Sequence, residues 1–123
     1  MSLETCRITD AGLAHLRGLA QLQTLRLGMT PITDKGLAHL ENMTALKSLD
    51  IWHTNITDAG LAHLKSMTRL ERLDLASNSI SDAGLPSLHG LRHLKRLFLK
   101  STKVTKAGVH KLRKALPHVE VEY

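Results

Sequence analysis

Apolar residues along this chain follow two rhythms that replace one another every 24 residues. In Leu25-Arg26-Leu27-Gly28, Leu49-Asp50-Ile51-Trp52, Leu73-Asp74-Leu75-Ala76 and Leu97-Phe98-Leu99-Lys100 the first and third positions are aliphatic, while the second and fourth change from copy to copy. Such alternation sends the aliphatic pair to one side of an extended strand and the variable pair to the other. The second rhythm is helical. It begins with ITDAGLAHL at 8–16, which recurs letter for letter at 56–64, with ITDKGLAHL at 32–40 between them. Thr9, Thr33, Thr57, Ser81 and Thr105 each precede the helical pattern, where a hydroxyl can accept from a free N–H of the first turn. Asp10, Asp34, Asp58 and Asp82 follow them, favourably placed at the positive end of the helix dipole, and Lys106 breaks the series.

Units therefore begin at Ile8, Ile32, Ile56, Ile80 and Val104, with a partial unit before the first and a last unit two residues shorter, reaching Leu116, Val119 and Val121. Each reads as strand, turn, short helix and return. A helical connection between consecutive strands makes them parallel, and stacking buries a continuous core that no single unit could form. The prediction is one domain over residues 1–123.

The motif LxxLxxLxLxxT, closed by Thr30, Thr54, Asn78 and Thr102 and continued by ITDxGLxxL, resembles the leucine-rich-repeat family along essentially the whole chain. It is similar to the cysteine-containing and ribonuclease-inhibitor-like subtypes. The resemblance implies an α/β solenoid, with a short parallel β-sheet on its concave side and short helices on its convex side. It also implies an inward polar ladder made by Cys6, Thr30, Thr54, Asn78 and Thr102, whose side chains hydrogen-bond the backbone of neighbouring turns. Partner binding is expected on the concave face.

Composition narrows the chemistry. The single cysteine, Cys6, excludes an intrachain disulfide and a cysteine zinc cluster. No apolar run reaches the roughly 18 residues of a membrane helix, and MSLETCRITD lacks the apolar stretch of a signal peptide, so a cytoplasmic location is the expectation. His15, His39 and His63 share one column of successive helices. Helices pack about 8–10 Å apart while zinc–nitrogen bonds are about 2 Å, so the column reads as solvated surface, continued by Ser87 and Lys111. No GxSxG elbow occurs, and the one glycine per unit at Gly12, Gly36, Gly60, Gly84 and Gly108 reads as close packing instead of a phosphate loop. Asp50 and Asp74 should lie about 5 Å apart on adjacent strands, but a glycosidase would need a cleft around them. A non-enzymatic protein with no metal and no cofactor is expected.

Function is then sought where units differ and face outward. With the shortened last unit, the outward columns read Ser2, Thr24, Ser48, Arg72, Arg96, His118; then Glu4, Arg26, Asp50, Asp74, Phe98, Glu120; then Gly28, Trp52, Ala76, Lys100, Glu122. Trp52 and Phe98, two of only three aromatic residues among Trp, Phe and Tyr, both fall there, about 10 Å apart. Aromatic and arginine clusters are the composition of protein-binding hot spots. The predicted partner-binding face has Trp52, Phe98, Arg72 and Arg96 as its main contacts and Asp50 and Asp74 setting charge selectivity, with Arg26 and Lys100 completing it. Gly28 and Ala76 flank Trp52 and leave its ring room to lie flat or a partner room to approach it.

Charge offers an alternative. The net charge of +6 is concentrated in residues 83–119, which carry nine Lys and Arg and no acid. Arg92, Lys95, Arg96, Lys100, Lys103, Lys106, Lys111, Arg113 and Lys114 could meet an anionic partner, nucleic acid or acidic protein, although they fall on both strand and helix sides. Glu122 should pair with Lys100. At the other end MSLETC reads as an edge strand through which the chain could self-associate, or as the start of a truncated structural array.

Overall fold

The computed structural model describes residues 1–123. Five three-residue strands, β1 (Thr24–Arg26), β2 (Ser48–Asp50), β3 (Arg72–Asp74), β4 (Arg96–Phe98) and β5 (Glu120–Glu122), pair in chain order into a wholly parallel sheet. Helical segments connect them. They are α1 (Asp10–Leu13) with a 3-10 turn at Ala14–Leu16, α2 (Asp34–Ala38), α3 (Asp58–Leu61) with a 3-10 turn at Ala62–Leu64, a 3-10 helix at Asp82–Leu88, and α4 (Lys106–Ala115). The third connection is 3-10 throughout and contains Pro86. A proline has no N–H for an α-helical bond and its ring crowds the carbonyl four residues back, which disfavours the α form there. The result is the α/β repeat solenoid that the two rhythms predict, and no helix is long and apolar enough to cross a membrane. One aliphatic cluster runs unbroken from Leu13 to Val119, sandwiched between sheet and helices.

Both ends correct the predicted register. Val121 lies opposite Leu97, and Glu120 opposite Arg96, so the last unit keeps the 24-residue offset and is not shortened. The altered apolar spacing reflects a different helix instead of a deletion. α4 is α-helical for ten residues, and Leu112 and Leu116, four apart, both reach the core from one face, with Val119 beside them. At the other end Ser2 bridges to Arg26 and the Thr5 N–H donates to the Gly28 carbonyl at 3.2 Å, again in step. The outward rows are therefore Thr24, Ser48, Arg72, Arg96, Glu120; Ser2, Arg26, Asp50, Asp74, Phe98, Glu122; and Glu4, Gly28, Trp52, Ala76, Lys100.

Successive units are locked by two sets of polar contacts. In the first, each aspartate of the ITD phrase reaches forward to the next unit. Asp10, Asp34, Asp58 and Asp82 accept the backbone N–H of Thr33, Thr57, Ser81 and Thr105 at 2.7–2.8 Å, and their hydroxyls at 2.5 Å. The glycine of the receiving unit makes room for it. A Cβ on Gly36, Gly60, Gly84 or Gly108 would stand 2.1–2.4 Å from Oδ1 of that aspartate, inside van der Waals contact. The predicted helix-capping role of the hydroxyls is secondary: Thr33, Ser81 and Thr105 accept a first-turn N–H at a long 3.3 Å, and Thr9 and Thr57 accept none. Hydrogen bonds from the Thr105 hydroxyl, and then from its N–H, hold the Asp82 carboxyl below the usual carboxylate range.

The second set lies beneath the strands. Thr30, Thr54 and Thr102 donate their hydroxyls to the carbonyls of Leu27, Ile51 and Leu99 at 2.6–2.9 Å. Asn78 does more, because its amide both donates and accepts. Nδ2 donates to the carbonyls of Ile51, Leu75 and Ala76, and Oδ1 accepts the N–H groups of Thr54 and Ile56 and the Thr54 hydroxyl, so one side chain ties two units. Cys6 differs from the expected ladder residue. It is exposed and its thiol makes no hydrogen bond. Between strand and ladder, Thr5, Met29, His53, Ser77 and Ser101 all take positive φ of 50–59°, the left-handed turn that redirects the chain once per unit.

Candidate partner-binding face

β3 and β4 build the densest side-chain cluster on the strand face. Arg72 and Arg96 are opposite one another across the two strands, while Phe98 stands opposite Asp74 in the next row. Both guanidiniums converge on the phenyl ring, Arg72 with its Cζ 4.6 Å and Arg96 5.6 Å from the ring centre. A cation over an aromatic face is attracted by the ring quadrupole, by about 0.5–1 kcal/mol at an exposed site. Carboxylates hold the other sides: Asp74 lies 3.6 Å from Arg72, and Glu120 3.8 Å from Arg96. Lys100 and Glu122 approach to 3.6 Å, the predicted pair, on a diagonal since Glu122 faces Phe98 in register. Arg26 is exposed at the near edge of the sheet. No cavity opens among these residues, so the face can take a partner only as a surface.

Trp52 is placed apart from this cluster. Its indole lies flat across Gly28 of the preceding unit, where a Cβ would come 2.2 Å from Nε1, and its other neighbour is the His53 ring at 6.0 Å, tilted by 45°. The ring is half-buried, so one of its faces is committed to packing. Gly28 allows this by having no side chain, one of the two readings its column left open.

Asp50 keeps its predicted place in the outward row but is not exposed there. It is buried, with 7% of its surface exposed. Burial pushes its carboxyl above the ordinary value; the Trp52 N–H, donating to Oδ1 at 3.4 Å, pulls the other way, and the charge of Asp74 adds to the rise. Because the folded chain then holds this proton more tightly than the unfolded one, stability falls as pH climbs from 3.8 through the raised value and stays lower above it. Asp50→Asn keeps the acceptor for Trp52 and removes the charge. We expect it to stabilise the protein at pH 7, by up to about 1 kcal/mol given solvent screening on an open face, and to have no effect well below pH 3.8. Urea denaturation of both chains across that pH range checks the sign.

Elsewhere the candidate residues disperse. His39 contacts Arg17, and His63 Glu41, each a residue of the preceding unit, while His15 is exposed. No three His, Cys, Asp or Glu side chains lie close enough to hold a metal ion. The basic end divides into two sides. On the strand side Lys95, Arg96 and Lys100 are paired with Glu71, Glu120 and Glu122; Lys106, Lys111, Arg113 and Lys114 lie exposed on α4 and form no salt bridge. Lys95, by hydrogen bond and then by charge, holds the Glu71 carboxyl below its usual range.

Residues 44–104 match the family model for the leucine rich repeat. Over 89% of its length the chain superposes on an internalin (inlF) from Listeria monocytogenes, with a TM-score of 0.76 and 26% identity. This chain is a leucine-rich-repeat protein. Internalin C2 of the same organism is a similar neighbour, at 29% identity and a TM-score of 0.75 over 98% of this leucine-rich-repeat chain. The chain spans 30% and 50% of those two proteins' lengths, and no curated protein matches it.

Proposed function

We propose that this leucine-rich-repeat chain is a non-enzymatic interaction module that binds a protein partner on its strand face, centred on Phe98, Arg72 and Arg96. The observation that carries the reading is the Phe98 ring held on the solvent side of the sheet between two guanidiniums. A phenyl there has no duty to the aliphatic core. Its flat, rigid surface and the two forked cations suit a partner that offers apolar area ringed by carboxylates or carbonyls. Asp74, Lys100 and Arg26 stand at the rim. Asp50, being buried, acts only through its charge. Trp52 contributes a second, weaker point of contact through its free face.

Immobilised protein should capture its partner from a lysate, and Phe98→Ala should weaken that capture by about 2 kcal/mol, roughly 30-fold. Trp52→Ala should cost less, since much of the ring is already packed on Gly28. Partner recovery unchanged in Phe98→Ala and in Arg72→Ala, with circular dichroism intact, would remove the strand face from consideration.

A further inference from the structure

The return from helix to strand in the fifth unit lacks two side chains that the units before it carry. With the strands in a constant 24-residue register, Ala115 falls in the column of Met43, Met67 and Leu91, and His118 in that of Leu46, Leu70 and Leu94. Those six aliphatic residues are buried, whereas Ala115 and His118 are exposed. The cause is the form of the helix. α4 stays α-helical to Ala115, which turns Leu116 and Val119 to the core in place of these two positions. A hollow of about 430 Å³ opens beside Ala115 and His118, shared between the returns of the fourth and fifth units.

Its polar lining is wholly basic. His89 and Arg92 come from the fourth unit and His118 from the fifth, and none of the three takes part in a salt bridge. Residues 83–119 contain no Asp or Glu, and the acids that flank this part of the chain are engaged elsewhere, Glu71 with Lys95 at 2.8 Å and Glu120 with Arg96 at 3.8 Å. Arg113 and Lys114, exposed on the last turn of α4, add to the positive surroundings. Leu94, Leu116 and Val119, each 4–5% exposed, supply the apolar part of the lining.

A guanidinium is a planar fork of donors that matches the oxygens of a carboxylate or phosphate, and an imidazole keeps at least one N–H donor in either protonation state. A phosphate monoester can satisfy all three groups at once, with three terminal oxygens and a charge of about −1.5 to −2 at pH 7. A carboxylate brings two oxygens and a single charge. The carbonyl end of α4 places partial negative charge at this spot, so the attraction must come from side chains, and first from the permanently charged Arg92. We propose that this hollow binds a phosphate monoester, with Arg92, His89 and His118 holding its oxygens and the apolar group that carries the phosphate lying on Leu94, Leu116 and Val119. The site is separate from the Phe98 cluster and does not depend on it.

Phenyl phosphate is a suitable probe, and proton NMR of the imidazoles in the full chain reads its binding. The His89 and His118 signals, assigned by His89→Gln and His118→Gln, should shift saturably while that of His15, on α1, stays in place. Arg92→Gln should weaken binding by about ten-fold or more. Ala115→Leu keeps every charge and restores the bulk that the column has in earlier units, and it should weaken binding comparably by filling the hollow. Both positions are exposed, so circular dichroism should be unchanged in either variant. Arg96→Gln and Phe98→Ala should leave binding as it is, which separates this site from the strand face. A phosphotyrosine peptide that binds about ten-fold more tightly than phenyl phosphate would identify the source as a phosphorylated protein, and equal affinity would identify it as a small molecule. Absence of saturation, or binding that survives either Arg92→Gln or Ala115→Leu, would overturn the proposal. So would inorganic phosphate binding as tightly as phenyl phosphate, since the apolar lining would then have no part in it.

Discussion

Asn78→Ala is expected to be the most damaging single polar substitution in this protein, at about 3–5 kcal/mol. The amide makes six hydrogen bonds and is 6% exposed. Truncation strips the Ile56 and Thr54 N–H groups of their acceptor in surroundings that water does not readily enter, and each such orphan costs about 1–3 kcal/mol. The Thr54 hydroxyl keeps its bond to Ile51, which limits the loss. A chain of this size is stable by about 5–15 kcal/mol in total, so the variant should be partly unfolded under mild warming. Asn78→Thr is the informative companion. Thr30 and Thr102 show that a hydroxyl here can reach the carbonyl three residues back, but it cannot span to the previous unit as Asn78 does. Its cost should be intermediate, about 1–2 kcal/mol. Urea unfolding followed by circular dichroism measures both, and equal midpoints for the two variants would mean that the tie between units contributes nothing beyond the local turn.

The fold was legible because its determinants are periodic. Alternation of period two places Leu25, Leu27, Leu49 and Ile51 inward, and all are fully buried. What escaped was every contact whose partner lies one unit away and whose residues already had a sufficient local explanation. A threonine before a helix reads as a cap and an aspartate after it as a dipole partner, yet the strong bonds of Thr57 are to Asp34, not to its own helix. One signal was available. The triplet of hydroxyl, aspartate and glycine recurs in four units and loses only its aspartate in the fifth, which is what a forward-reaching carboxylate requires. The strand face was legible in part. Gly28 beside Trp52 left room for a flat ring or for a partner, and the structure fills it with the ring. The burial of Asp50 was not, because it depends on how neighbouring side chains lean and not on which side of the strand they leave. Nor did the chain advertise its left-handed turns, since Met29, His53 and Ser77 are not glycine.

Gly60→Ala should change sign with its background, and that reversal is the sharpest test of the interlock. In a helix interior alanine is favoured over glycine by about 1 kcal/mol, and Gly60 lies inside α3. Its Cβ, however, would stand 2.2 Å from Oδ1 and 2.9 Å from Cγ of Asp34. The carboxylate cannot simply turn aside, because its two oxygens hold the Thr57 N–H at 2.8 Å and the Thr57 hydroxyl at 2.5 Å. Expelling it forfeits two charge-assisted bonds. Thr57 is exposed enough for water to replace part of them, so the net cost should be about 1–3 kcal/mol after the gain in propensity. With Asp34→Ala already in place there is nothing left to strike. Gly60→Ala in that chain should then be neutral or stabilising by up to about 1 kcal/mol, a coupling that a double-mutant cycle in urea reads directly. Gly12→Ala is the internal control: its nearest contact is Ile8 Cγ1, at 3.0 Å, and it meets no aspartate, so its penalty should be the smaller. If Gly60→Ala were as costly without Asp34 as with it, the crowding would have to come from Ile56, 3.2 Å away in the same unit, and the glycine column would be a matter of packing within units and not of grip between them.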